Sequence, residues 1–240
     1  MAEPGAPALA VEGLRRSYGD FEALDGLDLQ VANGECVALI GHNGSGKTTA
    51  VRMIGGLLVP SGGVVRVAGF RIDDDDESVA ARAAISLVPD TPMLYGDLTV
   101  REHLELVVVA HGVTREFLDD RIDGILGRLD IEARSDAFPG QLSRGMRQKL
   151  MLACALIRPF SLLVLDEPVV GLDPSTQRVL RELLLETKAS GSGVLLTTHQ
   201  LAFARGIADR AVLLADGVAV LEGPYDEVVE SEAVYARDLR

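Results

Sequence analysis

A glycine-rich loop between a strand-like segment and a helix-like segment is the feature that most constrains the fold of this chain. It matches the pattern G-x-x-x-x-G-K-[ST] and consists of Gly41, His42, Asn43, Gly44, Ser45, Gly46, Lys47, Thr48 and Thr49. The apolar run 36–40 before it has the length and composition of a buried parallel strand. After it, apolar residues recur at helical spacing up to Leu58. This order of strand, loop and helix is the context in which such a loop holds phosphate.

Each residue type in the loop suits the binding of a polyphosphate. Glycines let backbone N–H groups turn inward, and the start of a helix adds a favourable dipole. Lys47 is long enough to reach the β- and γ-phosphates, and the Thr48 hydroxyl can ligate Mg²⁺. A glycine turn with a solvated lysine is the alternative, and the flanking strand and helix argue against it. The sequence therefore predicts a site for a nucleoside triphosphate.

The composition is that of a globular chain, with 48% hydrophobic and 25% charged residues among 240. A formal net charge of -13 disfavours a nucleic-acid surface, because phosphate repels an acidic face. The longest apolar run, 150–157, is far shorter than the ~18–20 residues that span a bilayer. The start of the chain lacks the positive and hydrophobic blocks of a secretory signal, so a flexible leader is expected at 1–8. Two cysteines fit a reducing compartment without a disulfide.

Short strand-like runs alternate with helical runs, which predicts an α/β fold with a largely parallel sheet covered on both faces. The expected strands are 27–31, 37–40, 64–67, 85–88, 162–165, 194–197 and 211–214. The expected helices are 48–58, 100–110, 115–129, 144–157, 174–189 and 201–207.

The middle of the chain differs, because no convincing strand is found between about residues 89 and 159. Only helical stretches separated by Gly, Pro and Asp occur there, which indicates a helical subdomain inserted into the α/β core. The predicted division is a leader, a nucleotide-binding core in two pieces that includes an N-terminal β region, the helical subdomain, and a helical tail. Their bounds are 1–8, 9–88 with 160–222, 89–159 and 223–240.

Two carboxylates, Asp166 and Glu167, directly follow the apolar run 162–165. Such residues project from the C-terminal end of a buried parallel strand, where open α/β sheets bind ligands. Asp166 is expected to hold Mg²⁺, directly or through water, opposite Thr48. Glu167 is placed to orient or deprotonate an attacking water. Taken alone, the pair also fits a strand that ends in a polar turn, but a phosphate loop in the same chain favours the catalytic interpretation.

A third element spans residues 141–149, where Ser143 has the character of an N-cap for an apolar-faced helix. A helix N-terminus that offers a hydroxyl, the Gly145 N–H and nearby basic side chains is an anion site. Taken alone, a capped helix is the simpler interpretation. Its position 23 residues before Asp166 favours a role with the nucleotide.

These elements together resemble the ATP-binding cassette (ABC) ATPase family over nearly the whole chain. The phosphate loop, the signature element 142–146, the pair 166–167, the loop 171–173 and the dipeptide 198–199 occur in family order and spacing. The resemblance implies a P-loop NTPase fold that hydrolyses ATP with Mg²⁺, with catalysis carried by Glu167, His199 and Lys47. It also implies that Tyr18 stacks on adenine and that His199 contacts the γ-phosphate and supports the attacking water.

Two positions depart from the family pattern. The family usually has glutamine after the strand that ends near Val88, whereas here Pro89 is followed by Asp90. Asp90 is shorter and charged, and it can still approach Mg²⁺ through water. The signature usually has Gly-Gly-Gln after its serine, and residues 144–146 here read Arg-Gly-Met. This variant of the signature, taken together with the sequence of residues 95–102, resembles the subfamily that powers multi-pass export permeases of drugs, lipids or polysaccharides.

The resemblance also implies the partners of the chain. Two copies would form a homodimer around two ATP molecules, with Ser143 and Gly145 facing the nucleotide of the opposite copy. A multi-pass permease would hold them at the cytoplasmic face of the cell membrane, and no nucleic acid is expected. A cassette ATPase acting on nucleic acid or ribosomes is an alternative, disfavoured by the single cassette and the acidic composition. A nucleotide kinase or another unrelated phosphate-loop enzyme would leave Ser143, the pair 166–167 and His199 unexplained.

Overall fold

Two β-sheets and a set of helices form the protein. The computed structural model describes residues 5–112 and 118–238, with the side chains of the last helix described as far as residue 231. An antiparallel sheet has the strand order β2-β1-β4-β5, and a larger sheet has the order β10-β9-β3-β8-β7-β6. The strands are β1 (Leu9–Tyr18), β2 (Phe21–Val31), β3 (Cys36–Ile40), β4 (Gly62–Val67), β5 (Phe70–Arg71), β6 (Ile85–Val88), β7 (Leu162–Asp166), β8 (Gly193–Thr197), β9 (Arg210–Ala215) and β10 (Val218–Pro224).

The larger sheet is parallel apart from β10, which pairs antiparallel with β9 at one edge. Its central strands are apolar and buried along their whole length, as expected for a sheet covered on both faces. Successive residues of a strand point to opposite faces. In β7, Leu163 and Leu165 join a hydrophobic core on the helical side, whereas Leu162 and Val164 join the core between the two sheets.

Three of the described helices begin at a polar side chain that satisfies one of their first backbone N–H groups. The helices are α1 (Lys47–Ile54), α2 (Ser78–Ala84), α3 (Val100–Ala110), α4 (Leu118–Arg128), α5 (Arg144–Leu156), α6 (Pro174–Ala189), α7 (Leu201–Ala204) and α8 (Tyr225–Asp238). Thr99 and Glu102 form a capping box at α3, and Ser143 and Asp173 cap α5 and α6. Within the described residues no helix is long and apolar enough to cross a membrane.

The described residues between positions 89 and 159 form helices and two short 3₁₀ turns but no strand. The apolar faces of α3, α4 and α5 pack together through Leu104, Ile122, Leu126 and Leu150, all of which are fully buried. This core is continuous with the helical face of the parallel sheet. A helical unit is therefore inserted in the chain between β6 and β7, which are neighbours in the sheet.

Three strands were missed by the sequence analysis because their apolar residues do not alternate regularly. β1 contains Glu12, Gly13 and two arginines, and its pairing with β2 shifts register at several points. Tyr18 therefore ends a strand, whereas the sequence predicts 27–31 as the first strand. β10 is an exposed edge strand, and β5 has only two residues.

Several helices are shorter than expected. The predicted helix 48–58 ends at Ile54, because Gly55 and Gly56 follow and glycine favours the end of a helix. The predicted helix 201–207 is the single turn α7.

Two expectations fall partly outside the described residues. The predicted helix 115–129 is described only from Leu118 onward, and the predicted leader 1–8 only from residue 5. Within that leader, Ala8 is fully buried, so the packed core begins there. At the other end, the predicted tail 223–240 consists of the end of β10 and α8 as far as it is described.

Arg158 links the helical unit to the sheet. Its guanidinium donates hydrogen bonds to the carbonyl oxygens of Ala83 at 2.9 Å, Pro159 at 3.1 Å and Ile85. Burial lowers the pKa of Arg158 from its usual value, yet a guanidinium stays charged at neutral pH. The carbonyls at the end of α2 and the start of β6 therefore depend on one side chain from the end of α5.

Arg158→Met removes these donors and keeps an apolar stem. We expect the free energy of unfolding to fall by about 2–3 kcal/mol, because each buried polar group left unsatisfied costs roughly 1–3 kcal/mol. The urea midpoint at unchanged m-value measures the loss. Arg178→Met on the exposed side of α6 is the control and should stay within about 0.5 kcal/mol of the wild type. Equal midpoints for the two variants would contradict this role of Arg158.

Candidate functional site

The phosphate loop connects the end of β3 to the start of α1, and its backbone requires glycine. Gly41 has φ 148° and Gly46 has φ 107°, both in the region that side chains rarely adopt. A Cβ on Gly41 would lie 2.1 Å from the carbonyl oxygen of Leu214 and 2.8 Å from Oγ of Ser45. The loop therefore packs directly against the backbone of β9, and a side chain at position 41 would not fit.

The polar groups of the loop fit a polyphosphate. Oγ of Ser45 is buried and has no hydrogen-bond partner within the described part of the chain. Lys47 is also buried, and its Nζ donates to the carbonyl oxygens of Gly41 at 2.7 Å and His42 at 3.0 Å. The lysine thus folds back over the loop, with its charge at the start of a helix where anions bind.

A depression of about 320 Å³ lies beside this loop. Its lining consists of Gly41, His42, Asn43, Thr198, His199 and Leu201. His42, Asn43 and Gly44 are exposed, and Thr49 is half-buried on α1. The depression therefore joins the phosphate loop to the end of β8, where His199 follows the strand.

The three predicted Mg²⁺ ligands are Thr48, Asp90 and Asp166. They lie near one another, beside the carboxyl-terminal ends of the parallel strands. Asp166 ends β7, is 1% exposed and accepts hydrogen bonds from the hydroxyls of Thr197 and Thr48. Burial raises the pKa of Asp166, and the charges of Asp90 and Glu167 add to this, against the effect of the two hydroxyls. A buried carboxylate beside a hydroxyl and a second carboxylate is an oxygen set that suits Mg²⁺.

Glu167 has a strained backbone and a direct contact with His199. Its φ of 50° is unusual for a residue with a side chain, and such strain concentrates at functional sites. Its Oε2 lies 2.8 Å from Nδ1 of His199 and accepts the backbone N–H of His199 at 3.3 Å. The Glu167 carboxylate is mostly buried, and the His199 ring is half-exposed. The pair therefore lies at the rim of the depression, with its two polar groups facing each other.

Thr197 also belongs to the candidate site, although its sequence pattern did not predict it. Its hydroxyl donates to the Asp166 carboxylate and accepts the backbone N–H of Glu167 at 3.1 Å. It lies opposite Asp166 in the pairing of β7 with β8. Its position at a strand end, directly before residues 198–199, was the available signal.

Ser143 and Gly145 lie at the start of α5, on the helical unit. Neither belongs to the described lining of the depression. Ser143 is exposed, and its Oγ accepts the backbone N–H of Met146 at 3.2 Å. A Cβ on Gly145 would lie 2.7 Å from the carbonyl oxygen of Gly171. The start of α5 therefore packs against Gly171, and its capping residue Ser143 is exposed.

Tyr18 lies at the tip of the hairpin formed by β1 and β2, paired with Phe21. The start of β2 runs alongside the phosphate loop, because a Cβ on Gly46 would lie 2.6 Å from the carbonyl oxygen of Ala23. The Tyr18 side chain is 49% exposed. The hairpin tip therefore offers an aromatic surface near the phosphate loop.

Comparisons with known proteins agree with this geometry. The sequence model of the ABC transporter family matches residues 24–170. The ABC-type transporter ATP-binding protein EcsA of Bacillus subtilis (strain 168) is 36% identical over 222 residues, which cover 92% of this chain and 89% of the relative. A Nod factor export ATP-binding protein I of Ralstonia nicotianae (strain ATCC BAA-1114 / GMI1000) is 36% identical over 239 residues. These residues cover 97% of this chain and 74% of the relative.

A solved structure shares the fold as well. The dimeric ATP-binding cassette MJ0796, in a post-hydrolysis state bound to ADP and Pi, superimposes with a TM-score of 0.80 at 27% identity. The match covers 90% of this chain and 98% of that chain. The predicted P-loop NTPase fold is thereby confirmed, and a kinase or another unrelated phosphate-loop enzyme is excluded. Relatives named as transporter subunits do not favour the nucleic-acid alternative. The chain belongs to the ABC transporter family, as an ATP-binding subunit that hydrolyses ATP with Mg²⁺.

Proposed function

We propose that two copies of this chain power the export of a molecule through a separate multi-pass permease at the cytoplasmic face of the cell membrane. The contact of Glu167 with His199 beside the phosphate loop is the observation that carries the catalytic part of this proposal. A relative that is named as an export protein supports export as the direction of transport.

The proposed chemistry is attack of water on the γ-phosphorus of ATP. The glycine loop and Lys47 bind the phosphates, and Tyr18 stacks on the base. Glu167 accepts a proton from the water as its oxygen bonds to phosphorus, and the bond from phosphorus to the bridging oxygen breaks to release ADP. His199 holds the Glu167 carboxylate through the 2.8 Å contact, and because it lines the same depression as the phosphate loop, it would contact the γ-phosphate.

We propose that Mg²⁺ is bound by Thr48, by Asp166 and, through water, by Asp90. When bound, the ion neutralises charge on the phosphate oxygens. Thr197 keeps the Asp166 carboxylate oriented through its hydroxyl. Because Asp90 stands where the family usually has a neutral glutamine, this chain brings one more negative charge to the site.

The exposed position of Ser143 supports a site completed by a second copy. We propose that Ser143 and the N–H of Gly145 donate to the triphosphate bound by the partner chain. Contacts with a charged group contribute about 1.5–3 kcal/mol each, so several of them can hold two copies together. The loss of the γ-phosphate removes part of these contacts, and the dimer then reopens.

The surface after Asp90 supports a permease contact at the helical unit. Met93 and Tyr95 are 67% and 65% exposed, and they border a cavity of about 200 Å³ that also includes Leu106 and Met151. An apolar surface of this kind suits a hydrophobic partner. This surface follows Asp90 closely in the sequence. A partner bound there would therefore lie near the residues that are proposed to hold Mg²⁺.

Lys47→Ala tests the phosphate loop. The change removes one or more charged phosphate contacts, so we expect ATP to bind roughly 10- to 100-fold more weakly. Calorimetric titration with Mg²⁺ and ATP measures the affinity. Arg52→Ala, on the exposed side of the same helix, removes an equal charge and should bind ATP normally. Unchanged affinity in Lys47→Ala would refute the assignment of the loop.

Glu167→Gln tests the proposed base. The amide cannot take the proton, so we expect phosphate release to fall by at least about a hundredfold, as for loss of a general base. ATP should then accumulate a closed dimer, detected by sedimentation velocity. Glu182→Gln on the exposed side of α6 is the matched control and should turn over normally. Normal turnover in Glu167→Gln would rule out this residue as the base.

Mixing of two inactive variants tests the shared site. Lys47→Ala disables the loop, and Ser143→Arg disables the donor offered to the other copy, so each variant alone should be inactive. A mixed dimer regains one intact site, and random exchange should restore about a quarter of wild-type turnover. Phosphate release measures this recovery. Lys47→Ala mixed with the double variant that carries both changes is the control and should show none. No recovery in the first mixture would contradict a site made by two copies.

A further inference from the structure

Arg16 covers one face of the Tyr18 ring. Its guanidinium carbon lies 4.6 Å from the ring centroid, within the range of a cation–π interaction. Its Nε is buried and has no hydrogen-bond acceptor in the described part of the chain. The guanidinium is therefore held against the ring at the expense of a hydrogen bond at Nε.

Arg16 is also tied to the segment that follows α1. Its NH1 group donates to the carbonyl oxygen of Val59 at 2.8 Å. The next residue, Ser17, is tied to the same segment, because its backbone N–H donates to Oγ of Ser61 at 3.1 Å. Since α1 starts in the phosphate loop, these bonds hold the hairpin tip at a set distance from that loop.

The remaining surface of Tyr18 is open. Its side chain is 49% exposed, although the guanidinium covers one side of the ring. A planar ligand can therefore stack on the other face alone. A positive charge behind an aromatic ring also draws electron density away from it, which favours stacking on an electron-rich purine.

We infer that Arg16 is a positioning residue for the nucleoside end of the site, and that it strengthens the binding of the base by fixing and polarising the Tyr18 ring. This inference rests on the proposed stacking of Tyr18 on the base of ATP. Arg16 does not touch the phosphates in this arrangement, so its effect concerns the base and leaves the phosphate loop unchanged.

The experiment compares two ligands, ATP and inorganic triphosphate, each with Mg²⁺, by calorimetric titration. Arg16→Gln should weaken ATP roughly three- to tenfold, in the range of a partly buried cation–π contact, and should leave triphosphate unchanged. KM for ATP should rise by the same factor, with kcat within about twofold of the wild type. Arg15→Gln is the matched control, because Arg15 pairs with Asp25 and not with Tyr18, and it should change neither ligand.

A second pair of variants separates this inference from the proposed role of Tyr18. In a Tyr18→Leu background, Arg16→Gln should have no further effect on ATP, since it acts through the ring. If Tyr18→Leu weakens ATP but Arg16→Gln does not, the inference is wrong and the stacking of Tyr18 stands. If Tyr18→Leu binds ATP normally, both are wrong. Equal weakening of ATP and triphosphate by Arg16→Gln would also overturn the inference, because it would indicate a general charge or folding effect.

Discussion

The pairing of β7 with β8 is the constraint on which the candidate site depends. In this register Thr197 lies opposite Asp166 and contacts both that carboxylate and the backbone of Glu167. A slip of one residue would turn the carboxylate of Asp166 to the other face of the sheet. β3 lies between β8 and β9 in the same sheet, so the phosphate loop that follows β3 emerges at the same carboxyl-terminal end of the strands. The order and register of four parallel strands thus bring together groups that are more than a hundred residues apart in the chain.

The site is held in a conformation that would be unfavourable elsewhere. Asp166 is buried with a raised pKa, and Glu167 has a left-handed backbone. Both conditions cost stability, and they persist because the surrounding strands and His199 hold them in place. A rigid sheet edge also means that the donors and carboxylates need little rearrangement when a ligand arrives. At Asp166 and Glu167 the strain and the burial occur together, which is typical of functional sites.

Three parts of the fold contribute to different ends of the same site. The antiparallel sheet carries Tyr18 with Arg16, the parallel sheet carries the phosphate loop and the carboxylates, and the helical unit carries Ser143 on an outward-facing helix start. Two arginines connect these parts through hydrogen bonds to backbone carbonyl groups: Arg16 joins the hairpin to the segment that follows α1, and Arg158 joins the end of α5 to β6. A hydrogen bond to a backbone carbonyl fixes the conformation of a long arginine side chain. Such fixed contacts suit a site to which separate parts of the fold contribute.

The sequence alone determined the features that depend on neighbouring residues. The strand, glycine loop and helix around Lys47 lie within about twenty residues, so their spacing reveals the geometry directly. The buried strands, which define the α/β class, and the carboxylates at the end of β7 are equally local. The tertiary structure decided what depends on distant contacts: the bulged strand β1, the exposed strand β10, the double role of Thr197, and the contact of Arg16 with Tyr18. Local patterns record the propensity and burial of one segment. The register of that segment against others depends on packing across the whole chain, which no single stretch of sequence contains.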